Sequence, residues 1–166
     1  MKVLSLLQPW ASLVVLGHKK IETRSWNTKY RGPLLIHASA GKKNLYRGIT
    51  LDFQQEFYSL QLPHYKDLPF GAIIGKVDLR DTTETTLMRT HYRNALAHYP
   101  KLSEQEYSFG NYASGRYGWL LDNPLQFGEP IPAKGSLGLW EFPDIEEVIV
   151  IDVNDPDLNT PYDTIG

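Results

Sequence analysis

The sequence predicts an α+β protein, a small closed β-barrel with helices at its flanks. Three observations predict it. Short apolar or alternating stretches recur along the chain, each bounded by glycine, proline or small polar residues, as strands are. Between them lie segments whose apolar residues return every three to four positions, the mark of a helix with one buried face. With 166 residues, 42% hydrophobic and 22% charged, the chain has room for one domain and one sizeable core. We read residues 1–152 as that domain and 153–166 as an acidic C-terminal tail.

Val3-Leu4-Ser5-Leu6-Leu7 is nearly continuous in apolar character and reads as a first strand buried on both faces. Gln8 to Leu16 follows as a two-turn helix, with Pro9 suited to its first position and Gly17 to its left-handed stop. Trp10, Leu13 and Val14 share one face of that helix. From Ile21 to Trp26 the chain alternates, so Glu22, Arg24 and Trp26 point one way and Ile21, Thr23 and Ser25 the other. Asn27 to Pro33 is a turn, and Leu34 to Ser39 the next strand, with Leu35, His37 and Ser39 in one row.

After the small-residue turn Ala40-Gly41-Lys42-Lys43-Asn44, the four-residue spacing of Ile49, Phe53 and Phe57, extended by Leu60, predicts a helix closed by Pro63. Those aromatics read as core. Phe70 to Asp81 is the clearest long strand, with Val77 and Leu79 inward. Residues 85–98 read as helix, with Met88, Tyr92, Ala95 and Tyr99 as its buried stripe. His91 and His98 lie there without a third ligand at metal spacing, and no metal or other cofactor is expected. Ser103-Glu104-Gln105-Glu106 has the form of a helix N-cap with acids in the first turn, and Phe109 to Gly115 reads as loop. We expect 82–116 to be an insertion beside the barrel. Tyr117 to Leu121 is a strand ended by Asp122-Asn123-Pro124. Pro130-Ile131-Pro132 must lie at an edge, because proline cannot join a central ladder. Leu137 to Phe142 and Val148 to Ile151 are the last strands.

The chain has no cysteine, hence no disulfide framework and no thiolate nucleophile. Met1-Lys2 and the apolar stretch after them imitate a signal peptide, but Gln8-Pro9 interrupts it and Gly17-His18-Lys19-Lys20 is a poor cleavage site. No run approaches the roughly 20 apolar residues of a membrane span, so a cytoplasmic protein without membrane contact is expected. Net charge is −2, yet residues 1–47 hold nine of the seventeen Lys and Arg and one of the nineteen acids, Glu22. Such asymmetry predicts a basic surface that meets an anion. A small basic site on an acidic protein favours a short, selected nucleic-acid target over long sliding contacts.

Candidate site residues are Lys19, Glu22, Arg24, Trp26, Tyr30, Arg31, His37 and Ser39. A guanidinium, a carboxylate and an indole on one strand face are what recognition of a base or phosphate needs. Arg24 offers a planar fork, Lys19 a point charge, Glu22 an acceptor for an exocyclic amine, and Trp10 or Trp26 a ring for stacking, with Trp10 the more core-like. In an enzyme, Lys19 would serve as base or nucleophile with Glu22 as proton partner, or Lys19, Tyr30 and His37 would support cleavage of RNA. Phosphate-binding glycine loops, His-Glu-x-x-His and Gly-x-Ser-x-Gly are absent from the sequence.

The pattern Gly17-x-Lys19-x-x-Glu22-x-Arg24 resembles the signature of the ASCH family, whose β-barrel is related to PUA domains. Gln8 to Leu13, Tyr30 to Ala38, Gly71 to Leu79 and Gly118 to Pro124 resemble it too, closest to the coactivator-type branch. The resemblance implies a PUA-like barrel in which Lys19, Glu22 and Arg24 face the family's cleft. It further implies a module for single-stranded RNA or a modified base, with a protein partner in transcription or translation as another role. One branch of the family hydrolyses an acylated pyrimidine nucleoside with a lysine and a threonine at the positions matching Lys19 and Glu22. Here Glu22 replaces the threonine, so a nucleoside amidohydrolase or a ribonuclease is the alternative to the binding module.

Overall fold

The structure, a computed structural model, describes residues 1–94, 102–145 and 150–151. The elements are β1 (Lys2–Leu6), α1 (Trp10–Val15), β2 (Ile21–Arg24), β3 (Gly32–Ala38), α2 (Leu51–Ser59), β4 (Ala72–Glu84), α3 (Thr85–Asn94), α4 (Glu104–Ser108), β5 (Tyr117–Pro132), β6 (Leu139–Glu141) and β7 (Val150–Ile151). All seven strands form one sheet in the order β2-β5-β4-β3-β1-β6, with β7 also paired to β5. The β1–β3 pair is parallel and the other pairs are antiparallel. Register shifts in β4 and β5 curl the sheet into a half-barrel. Among the described residues no ladder joins β2 to β6, so the α+β fold has a curled half-barrel and not the closed barrel expected.

Leu4, Leu6, Leu34, Ile36, Val77 and Trp119 fill the concave side of the sheet, and Ala11, Val14 and Val15 of α1 close it. A second core is largely aromatic: Phe53 and Phe57 of α2 meet Tyr65, Phe109 and Leu13. The four-residue stripe therefore marks core, as its spacing predicts. Thr50 caps α2 by accepting from Phe53 N at 3.1 Å, so the helix starts just after Gly48 and Ile49.

Several local expectations are corrected. Pro9 stands before the first turn of α1 and not within it, at φ −88°. The buried Gln8 supplies the missing cap: its Oε1 accepts from Ser12 N at 3.1 Å and its Nε2 donates to Ser12 Oγ and Pro69 O, both at 2.8 Å. Asp122-Asn123-Pro124 does not end a strand, since β5 runs through it to Pro132. Asn123 at φ +49° absorbs the kink as a bulge between Asp122, opposite Asp78, and Leu125, opposite Lys76. Pro132 lies opposite Ala72 on a stretch that pairs only with β4, so its missing N–H faces no neighbouring strand. Helix α3 is described to Asn94. The side chains of His91 and Tyr92, together with Ala95, His98, Tyr99 and the acidic tail 153–166, lie outside what is described.

Candidate nucleic-acid interface

Strand β2 positions the site. It pairs with β5 on one side only, Glu22 opposite Trp119 and Arg24 opposite Tyr117. Its other edge carries unpaired backbone groups that something must satisfy. Helix α4 and the chain after it do so. Ser103 caps α4, accepting from Glu106 N at 3.0 Å, as the N-cap pattern predicts. The cap turns the Glu106 carboxylate onto the backbone N–H groups of Lys20 and Ile21, each at 2.9 Å. Asn111 N then donates to Thr23 Oγ1 at 2.9 Å, and Arg116 Nη2 to Thr23 O at 3.0 Å. Trp10 Nε1 reaches Phe109 O at 2.9 Å and fastens α1 to the same segment.

Between these parts opens a cleft of about 720 Å³, within the usual size of a small-ligand site. Glu22 and Arg24 line it from β2, Trp10 from α1, Arg47 from the chain before α2, and Arg89 from α3. Tyr107, Tyr112 and Arg116 form the opposite wall. Glu22 is the single acid on that lining among the described residues, against four guanidinium groups. Tyr107 and Tyr112 are stacked at 5.5 Å and 15°. Tyr112 is buried, and its hydroxyl has no hydrogen-bond partner among the described residues. Burial, with the Glu106 and Glu22 carboxylates adding to it, pushes that phenol far above its usual range, so it stays a donor. Arg89 donates through Nη2 to Ser114 Oγ at 3.0 Å, while its buried Nε has no partner among the described residues.

Residues 4–130 match the ASCH domain family. The chain belongs to that family. It is 29% identical over 150 residues to human Activating signal cointegrator 1, covering 83% of this chain and 22% of that protein. The mouse protein of the same name is 30% identical over 141 residues with the same coverage. This ASCH domain thus spans about a fifth of the length of these relatives. Among solved structures, the Zymomonas mobilis ASCH crystal structure is similar with a TM-score of 0.44 and 16% identity, covering 79% of this chain and 72% of that one. A point mutant of it gives 0.43 at the same identity, covering 74% of its own chain.

The motif of this ASCH domain divides in space. Glu22 and Arg24 reach the cleft together, with Arg24 Nη1 3.6 Å from Glu22 Oε1. Lys19 does not. Its side chain is wholly buried; Nζ donates to Ile21 O and lies 3.8 Å from Glu22 Oε2 and 3.9 Å from Glu106 Oε1. Buried ammonium groups need such partners, and the pocket between α1, β2 and α4 supplies them on the far side of Glu22 from the ligand space.

Trp10 packs on Phe53 of the aromatic core, 5.3 Å between centroids, and also lines the cleft. Trp26 leans edge-on against Trp119, 4.7 Å between centroids at 86°, with the Arg24 guanidinium 5.6 Å above it. The alternation fails because β2 ends at Arg24 and the chain bends at Ser25 and Trp26. Tyr30 and Arg31 are also absent from the cleft lining. Tyr30 donates its hydroxyl to Pro33 O. Arg31 spends Nη1 on Thr28 O and Tyr30 O, at 2.9 and 2.8 Å, and Nη2 on Asp81 Oδ1 and Thr82 Oγ1, at 2.9 and 3.0 Å.

His37 and Ser39 line a neighbouring hollow. His37 is buried, and its Nε2–H donates to Ala133 O at 2.9 Å, which leaves Nδ1 to accept from Ser5 Oγ at 3.1 Å. Ser5 Oγ in turn accepts from Trp140 Nε1 at 3.1 Å. Both ring nitrogens of His37 are therefore engaged inside the protein, and Lys19, Tyr30 and His37 are not assembled around one space. Arg47, Arg89, Tyr107, Tyr112 and Arg116 escaped the sequence reading. For Tyr107, Tyr112 and Arg116 the signal was an N-cap followed by a Gly-Asn-Tyr loop and an arginine, a pattern with no fixed spacing to the motif.

Among the described residues no group of three His, Cys, Asp or Glu could hold a metal ion, and no helix is long and apolar enough to cross a membrane.

Proposed function

We propose that this ASCH domain binds a nucleotide of single-stranded RNA, including one with a modified base, in the cleft beside Gly17-x-Lys19-x-x-Glu22-x-Arg24. One observation carries the reading: Arg24 and Arg47 face an aromatic-walled cleft and donate no hydrogen bond to any described residue. Guanidinium groups with free donors beside exposed rings suit a phosphate next to an unstacked base. Trp10 and Tyr107 offer ring faces to the base. Glu22 accepts from an exocyclic amine, and Lys19 and Arg24 hold its carboxylate on two sides. The enclosure of Lys19 behind Glu22 supports binding over attack by that amine on a nucleoside.

The test is fluorescence anisotropy with a labelled single-stranded RNA oligomer at stated salt. Arg24→Ala should weaken binding about tenfold, the loss of one charge-assisted contact. The salt slope should be shallow, near 1.4 for two phosphate contacts. Equal affinity of Arg24→Ala and wild type would overturn the reading. Release of RNA fragments or of a free nucleoside product would replace it with the hydrolase alternative. Salt-insensitive capture of a protein, in keeping with the relatives' cointegrator name, would replace it with a partner-docking role.

A further inference from the structure

The cleft does not end at Arg24. Arg24 and Leu7 also line the second hollow, about 520 Å³, whose other walls include Ser39, Lys134 and Leu137. The two spaces therefore share a waist, and the guanidinium of Arg24 stands at it. Glu22 sits on one side of that guanidinium at 3.6 Å and the Trp26 ring on another at 5.6 Å. Held from behind, it still donates no hydrogen bond to a described residue.

The far wall of the second hollow is the loop from β5 to β6. Its base is pinned. Ala133 N donates to Gly71 O at 3.1 Å, and Ala133 O accepts from His37 Nε2 at 2.9 Å. Gly135 lies so close over the imidazole that a Cβ there would come 2.5 Å from His37 Cε1. The tip is the opposite. Leu137 is 96% exposed, an apolar side chain held in water beside a concave surface. Lys134 next to it has no ion-pair partner among the described residues. A loop fixed at its root and presenting a free leucine and a free ammonium is preorganised for a ligand with an apolar face and a negative charge.

We propose that the site takes two consecutive nucleotides, with the connecting phosphodiester on Arg24, the first base in the main cleft and the second base under Leu137. Lys134 meets the phosphate on the outer side of that second nucleotide. This rests on the function proposed above and narrows its substrate class: an oligonucleotide, and not a free nucleoside or mononucleotide. Donor geometry favours the same order. The guanidinium at the waist, ion-paired to Glu22 at 3.6 Å, donates no hydrogen bond to a described residue and presents a planar fork to the two free oxygens of one phosphodiester, and apolar cover begins again beyond it.

The experiment is calorimetric titration of the protein with the 3′-mononucleotide and the homodinucleotide of each of the four ribonucleotide bases, and with each dinucleotide carrying a methylphosphonate link. For the preferred base, the dinucleotide should bind about tenfold tighter than the mononucleotide, the gain from covering the apolar face of a second base. A dinucleotide carries less charge than a 3′-monophosphate, so bulk attraction alone predicts the reverse. The neutral link should erase the gain, and Leu137→Gly should bring the ratio of the two constants near one. Lys134→Ala should weaken only a dinucleotide that also carries a terminal phosphate on its second nucleotide. Mononucleotide binding with no dinucleotide gain would overturn this proposal and leave the first standing. A gain untouched by Leu137→Gly would overturn the placement of the second base. No binding of either ligand would overturn both.

Discussion

Arg24 and Arg31 are seven residues apart, on either side of one bend, and the structure treats them oppositely. Arg31 donates four hydrogen bonds to its own protein. Arg24 donates none to a described residue, and is held by the Glu22 carboxylate and the Trp26 ring at distances too long for hydrogen bonds. Lys19 and Lys134 form the same contrast: one ammonium is enclosed by a carbonyl and two carboxylates, the other has no partner among the described residues. Residue type does not separate a structural cation from one available to a ligand. The saturation of its donors does.

The largest test of that contrast is Lys19→Ala. If Lys19 is a structural cation, its removal takes the buried positive charge from beside Glu22 and Glu106 and the donor from Ile21 O, and should cost about 3 kcal/mol in urea unfolding. A loss within the roughly 1 kcal/mol of a surface pair would place Lys19 among the available cations and break the comparison. Next in size is the arginine pair. With Arg24→Ala weakening RNA about tenfold, Arg31→Ala should stay within about twofold of wild type, read by the same anisotropy titration. Equal losses from the two substitutions would mean that saturation does not predict availability.

The smallest effect is a pH dependence at the pinned loop. Burial, partly offset by the hydrogen bond to Ala133, pulls the His37 imidazole below its ordinary value of about 6.5. The native state then binds fewer protons than the unfolded chain just below that pH. The stability His37 contributes is fully present above about pH 6.5 and is lost as pH falls toward its lowered native value. Thermal melts at pH 7.5 and 5.5 should therefore show a smaller drop in Tm for His37→Gln than for wild type. His18, also lowered by burial, supplies a remaining drop of the same sign in both proteins. Identical drops would show that the imidazole is not what holds the loop.

The barrel was legible because its signals are local. Val77 and Leu79 alternate with Lys76 and Asp78, and burial follows that alternation. Phe53 and Phe57 are one turn apart, and both are core. The misread positions are those where distant contacts override a local rule. Pro9 looked like a first helical residue until Gln8, Ser12 and Pro69 formed the cap in its place. Asp122-Asn123-Pro124 looked like an end until the ladder with β4 carried the chain across a bulge. Trp26 looked coplanar with Glu22 and Arg24 because nothing in six residues tells where a strand stops.

By itself the sequence determined the succession of strands and helices, the family, and the fact that an arginine and a glutamate share one face of a short strand. The elements and the shared face follow from periods of two and of about four, which a backbone imposes on any core-facing stretch; the family follows from the likeness of Gly17-x-Lys19-x-x-Glu22-x-Arg24 to its signature. Only the tertiary structure decided which cations have free donors, that Trp10 and not Trp26 stands in the cleft, and that a wall from 107 to 116 completes it. A side chain's availability depends on partners that folding brings from 85 or more residues away, as Glu106 is brought to Ile21, and no local period encodes that distance.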